Sequence, residues 1–316
     1  MKVSVVISNR NDSAMLAVTV RSALEELKAV PSGGEVVIVD NSDKPIWEML
    51  KAGHFISKRY LETEEVRMFR QDYPCLFTAR EEGIRRARGE LIVCLDSHMI
   101  VGHRMIRDLV DFMNANRDNP KMGFAHAPIS WCHQHENQAR HDRNVAVNEL
   151  GPWGARYNLA RRITWKGMPW ICHKSTFWKI GGYGALAQHR LSWGGGDMHI
   201  GVKPWLLGLE NWAVPCSPAI HIGPFPEPAK SEHKYRLYAK SGEHVTTLGF
   251  LIACYVLGGE SMMKRNEGAL REKFKLNTQA SWEQAKALGA DERQWLLANQ
   301  VMDFDTWLRE QPWNAN

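Results

Sequence analysis

The chain has no run long enough to cross a membrane. Its longest apolar stretch, LGFLIACYVLGG at 248–259, falls short of the roughly 18 to 20 residues a bilayer requires and ends in glycine; it reads as a buried helix. The opening residues, MKVSVVISNR, enter a strand pattern at once, without the charged, apolar and small-residue zones of a signal peptide. The six cysteines stand singly, with no CxxC pair, which argues against a disulfide framework and fits reduced thiols. Internal repeats and low-complexity tracts are missing as well. The expected setting is cytoplasmic, with no membrane partner.

What is present points to a folded chain with a substantial core, organised as one large or two smaller domains. Hydrophobic residues make up 44% and charged residues 24% of 316 positions. The net charge of +5 is compatible with anionic ligands such as nucleotides or nucleic acid without demanding them. Thirteen tryptophans suit core packing, and a few suit stacking on sugars or bases.

Strand and helix signals alternate from the start. VSVVIS at 3–8 reads as a buried strand, and NRND supplies a turn and helix cap before SAMLAVTVRSALEELKAV. PSGG ends that helix and EVVIVD at 35–40 follows as a second strand. A third strand is predicted within 58–71, then a helix from Thr78 to Arg88, the strand ELIVCLD, and a helix over RMIRDLVDFMNANRD. This order predicts an open, mostly parallel α/β sheet, whose ligands lie beyond the carboxyl ends of its strands. Three of those ends are polar: Ser8 and Arg10 close the first strand, Asp40 and Asn41 the second, Asp96 and His98 the one before the last helix. They are candidate ligand-binding positions facing one crevice.

From 123 to 180 the pattern is irregular and rich in His, Trp and Arg, as in acceptor-facing loops or an insertion. A glycine-rich turn, SWGGGDMHIG, leads into a helix predicted over VKPWLLGLE, and NWAVPCSPAIHIGPF ends in a strand. Pro224, Pro226 and Pro228 mark a break. The expected organisation is a catalytic domain over 1–228 and a mainly helical C-terminal extension over 229–316.

In a strand, residues two apart point the same way, so Asp96 and His98 can project together. A carboxylate and an imidazole form part of a site for Mn²⁺ or a similar divalent ion and need further ligands. The competing reading makes Asp96 a turn cap and His98 an ordinary loop histidine. His133, His135 and His141 in HQHENQARH do not have the spacing of a structural zinc site.

The wider sequence resembles the family 2 type of GT-A glycosyltransferase, and in its motifs the polypeptide N-acetylgalactosaminyltransferases. SVVISNRNDSAMLAVTVRSAL is similar to that family's first strand and helix, EVVIVDNSD to its nucleotide-contacting strand end, and ARGELIVCLDSHMIVG to its metal-binding strand. WKIGGYGALAQHRLSWGGGDMHIGVKPWLLG resembles the stretch built around Trp-Gly-Gly-Glu-Asn, and VPCSPAIHI the Cys-Ser…Gly-His segment. The resemblance runs over about residues 3–222. It implies a GT-A fold with Asp96, His98 and His221 as ligands of Mn²⁺ (or Mg²⁺) and a UDP-sugar as donor. It further implies Asp40 near the uracil and ribose, and Arg80 as an arginine preceding the metal strand. Without a ligand, Asp40 would be a turn cap and Arg80 a surface ion pair.

This chain departs from the family at Gly196 and Asp197, where the pattern has Glu-Asn. Asp197 would then contact the transferred sugar, as in retaining relatives, or act as a general base; retention is the preferred expectation. Trp193 would lie beside the sugar or simply pack under the turn, and Gly195 and Gly196 would allow the backbone to approach the donor closely.

The resemblance by itself points to a Ser or Thr hydroxyl on a polypeptide. The secretory setting of those relatives, with a membrane anchor and a lectin module, does not fit this sequence. A compact basic cytoplasmic enzyme instead suits a hydroxymethylated pyrimidine in DNA, as modified by some bacteriophage glycosyltransferases. RRITWK (Arg161, Arg162, Trp165, Lys166) and KYRLYAK (Lys234, Tyr235, Arg236, Tyr238, Lys240) mix cations with aromatics that could hold phosphates and an extruded base. The alternatives are a polypeptide or glycan acceptor, or a nucleotide-sugar or nucleic-acid binding module without catalysis.

Overall fold

The computed structural model describes residues 2–46, 48, 63–132, 161–162, 167–222, 244–274 and 278–310. Its centre is an eight-stranded sheet in the order β3-β2-β1-β4-β9-β6-β10-β8. Strands β1 (Val3–Asn9), β2 (Gly34–Asp40), β3 (Val66–Arg70) and β4 (Leu91–Asp96) run parallel. Helix α1 (Ser13–Lys28) and helix α2 (Leu76–Arg86) both pack on β1 and β2. Every residue of β1 is buried, so the strand reads as a continuous run of Val, Ile and Ser rather than an alternation.

Past β4 come the short strand β5 (Met99–Ile100) and helix α3 (Met105–Ala115). The region that looks irregular in sequence then contributes four strands: β6 (Met122–His126), β7 (Ile129–Cys132), β8 (Arg161–Arg162) and β9 (Trp170–His173). β9 runs antiparallel between β4 and β6. Short runs such as MGFAH and WICH are buried deep in the sheet and carry no period of two, so tertiary pairing rather than local pattern makes them strands. Trp170 secures this part of the core, with ring centroids 5.2 Å from Phe124 and 6.1 Å from Phe177.

Helices α4 (Lys174–Lys179) and α5 (Ala185–Gln188) lead to α6 (Gly196–Leu206). The helix expected over 202–210 thus starts six residues earlier, inside the glycine turn, and Pro204 sits near its end. Its N-cap is Gly195, held at φ 78°, which an L side chain rarely adopts. Strand β10 (Glu210–Ala213) pairs with β6 and β8, and β11 (Ala219–Ile222) joins β5 and β7 in a separate three-stranded sheet.

The chain closes with α7 (His244–Phe274), α8 (Thr278–Asn299) and α9 (Phe304–Arg309). The apolar stretch at 248–259 lies in α7 with Leu251, Ile252, Ala253 and Val256 fully buried, and no helix among the described residues is long and apolar enough to cross a membrane. Gly259, at φ 63° and ψ −152°, breaks α7, and Arg293 of α8 donates from Nη1 to the freed carbonyls of Val256 and Leu257 at 2.9 Å each. These helices share one continuous apolar core with the sheet, from Val3 to Leu308.

Candidate metal centre and active site

β4 ends at Asp96 itself. Residues 97 and 98 form a turn and β5 begins at Met99, so Asp96 and His98 do not project from one strand as alternation predicts. Helix α1 holds this turn: Thr19 Oγ1 donates to the Ser97 carbonyl at 2.8 Å and accepts from Met99 N–H at 3.0 Å. His221 arrives on β11, paired antiparallel with β5 in the register His221 to Met99, and Ile222 N–H donates to the His98 carbonyl at 2.9 Å. The turn and the small sheet together bring one ligand atom each from Asp96, His98 and His221 within 4.8 Å of one another.

The two imidazoles stand edge to face, at 88°, with their Nε2 atoms 3.1 Å apart. Asp96 Oδ2 lies 3.6 Å from His221 Nε2. His98 Nδ1 donates to Asp12 Oδ2 at 2.6 Å, which fixes its tautomer and turns the Nε2 lone pair toward His221 and Asp96. One carboxylate oxygen and two imidazole nitrogens are a donor set that suits Mn²⁺ and similar divalent ions. Asp12 occupies the N-cap position of α1 but makes no side-chain cap; its carboxylate is committed to His98 and, at 3.1 Å, to Ser97 Oγ. The NRND stretch is therefore a ligand-orienting element rather than a helix cap.

Arg80 on α2 is buried, and its Nη2 donates to Asp96 Oδ1 at 2.7 Å while Nη1 donates to Tyr183 Oη at 3.2 Å. Burial alone would raise the Asp96 carboxyl. The adjacent His221 ring and the guanidinium of Arg80 outweigh it and hold the group well below the carboxylate range. Burial likewise disfavours charge on Arg80, and Tyr183 and Asp96 more than offset it, so the guanidinium stays cationic. Asp197, in the first turn of α6, lies within electrostatic reach of Arg80 and Tyr183. The nearby Cys94 thiol is pushed up to about 12 by burial and is no nucleophile.

The tips of β1 and β2 are laced together. Asp40 Oδ1 accepts from Asn9 Nδ2 at 3.0 Å and Ser42 Oγ at 2.6 Å, and Oδ2 accepts from Ile46 N–H at 3.0 Å and Arg70 Nη1 at 3.2 Å. Arg10 donates to the Asn41 carbonyl and, at 2.8 Å, to Asp43; Asn41 Nδ2 donates to the Cys75 carbonyl at 3.1 Å. Ser8 pairs in register with Asp96, and its buried hydroxyl has no hydrogen-bond partner among the described residues.

At the glycine turn, a Cβ on Gly195 would meet the Gly249 carbonyl of α7 at 2.5 Å, and one on Gly196 would meet the Phe77 ring at 2.4 Å. The close approach these glycines permit is to helix α7 and Phe77. Trp193 packs edge to face on Phe250 of α7 at 6.2 Å. Asp12 and Tyr183 are not marked by any motif; an acidic residue opening the helix after β1 is the signal for the first, and the second has none. His133, His135, His141, Trp165, Lys166 and the KYRLYAK stretch lie outside the described residues, and only the backbone of Arg161 and Arg162 is described.

Comparisons with known proteins bear on the family and the fold. Residues 4–167, just over half of the chain, match the glycosyl transferase family 2 pattern. N-acetylgalactosaminyltransferase 6 of Drosophila melanogaster is 24% identical over 228 residues, covering 66% of this chain and 33% of that protein. A crystal structure of GalNAc-T7 with UDP, GalNAc and Mn²⁺ is 18% identical with a TM-score of 0.65, covering 98% of this chain and 57% of that one. The fold is therefore GT-A. The chain spans about a third of the length of the curated relative and little over half of the solved one.

Proposed function

The chain belongs to glycosyl transferase family 2, and we propose that it is a metal-dependent glycosyltransferase moving a sugar from a UDP-sugar to an acceptor hydroxyl. The observation that carries this reading is the convergence of Asp96, His98 and His221, from a strand end, a turn and a separate sheet, within 4.8 Å. These residues would hold Mn²⁺ or Mg²⁺, which as a Lewis acid lowers the cost of expelling a nucleoside diphosphate.

The protein's own groups account for the rest of the reaction. The bond from the sugar's anomeric carbon to the diphosphate oxygen breaks, its electron pair leaves with UDP, and the acceptor oxygen bonds to that carbon as its proton passes to the departing diphosphate in a retaining reaction or to a carboxylate in an inverting one. Asp12 orients His98. Arg80 orients Asp96 and contributes a second fixed cation on the leaving-group side. Asp40, Asn41, Ser8 and Arg10 form the nucleotide end, Gly195 and Gly196 seat the start of α6 against α7 and Phe77 and so place Asp197, and Trp193 offers a flat apolar surface to the sugar. Asp197 contacts the transferred sugar in a retaining reaction; in an inverting one it takes the acceptor proton.

The names of the relatives make UDP-GalNAc the first donor to try. For the acceptor, the proposal is a hydroxymethylated pyrimidine in DNA, in a cytoplasmic, phage-type setting, supported by the net charge of +5 and the basic aromatic stretches. The second reading, a Ser or Thr hydroxyl on a polypeptide, is supported by the resemblance of the motifs to the polypeptide N-acetylgalactosaminyltransferases. Mn²⁺-dependent release of UDP from UDP-sugars tests the activity, and no release from any donor would refute it. Mass spectrometry of hydroxymethylcytosine DNA and of Ser/Thr peptides incubated with the active donor decides the acceptor; label on peptide alone would overturn the DNA reading.

A further inference from the structure

A second buried charge cluster joins the C-terminal helices to the site. Lys203 of α6 has no solvent exposure, and its Nζ donates to the Gly182 carbonyl at 2.7 Å and to Glu292 Oε1 of α8 at 2.8 Å. His199, also fully buried, lies with Nε2 2.8 Å from the same oxygen. Glu292 Oε2 accepts from Ala185 N–H at 2.6 Å. One carboxylate thus ties α8 to α6 and to the loop between α4 and α5.

That loop is shaped around carboxylates. Gly181, Gly182 and Gly184 all have positive φ, at 75°, 53° and 50°. A Cβ on Gly184 would fall 2.0 Å from Glu292 Oε1, and one on Gly182 would fall 2.6 Å from Glu81 Oε1. Between these glycines sits Tyr183. Its N–H donates to Glu81 Oε1 at 2.8 Å and its hydroxyl accepts from Arg80, the partner of Asp96. Asp197 lies two residues before His199 on the helix that Glu292 anchors.

We propose that Glu292, with Lys203 and His199, is a positioning residue of the active site: it sets the Gly181–Ala185 loop and α6, and through Tyr183 and Arg80 it sets Asp96. The C-terminal helices are then part of the catalytic geometry. An ion pair serving only stability would not need a glycine loop moulded to its carboxylate, nor a tyrosine held both by Glu81 and by the arginine that orients a metal ligand. This inference rests on the proposed metal-dependent transfer.

The test uses the full chain. Calorimetric Mn²⁺ binding, UDP release and thermal unfolding are measured for Glu292→Gln, for Lys203→Met and for the Lys203→Met/Glu292→Leu pair. Glu292→Gln is expected to lower kcat at least about tenfold and to weaken Mn²⁺ binding about fivefold while remaining folded. The pair leaves no buried charge without a counter-charge, so its Tm is expected to exceed that of Lys203→Met. It nevertheless keeps the kcat and Mn²⁺ defects, because Gly182 and Ala185 have lost their ties. Parent-level Mn²⁺ affinity and turnover in the folded pair, or in Glu292→Gln, would overturn the proposal. If the parent releases no UDP from any donor, the transfer reading fails, whereas Mn²⁺ affinity across the same variants still decides the positioning role.

Discussion

Two charged clusters in this molecule are built from distant segments and finished in opposite ways. At Asp96, His98 and His221, two Nε2 atoms meet at 3.1 Å, and the side chains of Asp96 and His98 keep 25% and 34% of their exposure. At His199, Lys203 and Glu292, the ammonium is sealed from water and its charge is answered by one carboxylate at 2.8 Å. A cluster that takes a cation leaves lone pairs converging near solvent. A cluster that fixes a fold pairs each charge internally, since a lone buried ion is costly.

The sharpest way to break this contrast is Asp96→Asn, which preserves shape and an acceptor for Arg80 but removes the only carboxylate of the trio. Mn²⁺-dependent UDP release should fall by about 10³-fold, or about 4 kcal/mol, with a smaller loss in Tm, since Arg80 keeps an acceptor but loses its counter-charge. Lys203→Ala should do the reverse in stability: leaving Glu292 buried without its cation should cost about 3 kcal/mol by urea unfolding. If Lys203→Ala were neutral, the second cluster would not be the closed ion pair described here.

Asp12→Ala tests whether the first cluster depends on its orienting carboxylate. Mn²⁺ affinity or turnover should drop about 10- to 100-fold with the fold intact. Gly195→Ala should cost about 1–3 kcal/mol, because φ 78° disfavours a side chain and the Gly249 carbonyl occupies the space.

The smallest effect separates the clusters by pH. Burial, reinforced by Lys203 and only partly offset by Glu292, holds His199 below its ordinary value. The unfolded chain therefore binds a proton that the folded chain refuses, so stability is present above about pH 6.5 and declines as the pH falls below it. By pH 5.5 the loss should reach up to about 1 kcal/mol, and His199→Asn should flatten that part of the Tm profile.

Much of the nucleotide half was legible in sequence. VSVVIS, EVVIVD and ELIVCLD are largely apolar runs ending in polar residues, a pattern that buried parallel strands produce regardless of context. β6 and β9 were not legible, because four or five residues without a period become strands only when neighbours pair with them. The same holds for α6: nothing local in GGGD announces a helix start, which the packing of Gly195 on Gly249 and Gly196 on Phe77 imposes.

The sequence by itself determined that strand ends rich in Asp, Asn and His would line one side of a parallel sheet, since strand polarity and right-handed crossovers leave few other arrangements. Tertiary structure alone decided that Asp12 serves His98 instead of capping its helix, and that Glu292 reaches across to the loop of Tyr183. Both are carboxylates whose local sequence offers several partners, and which one each takes depends on what burial leaves within hydrogen-bond reach.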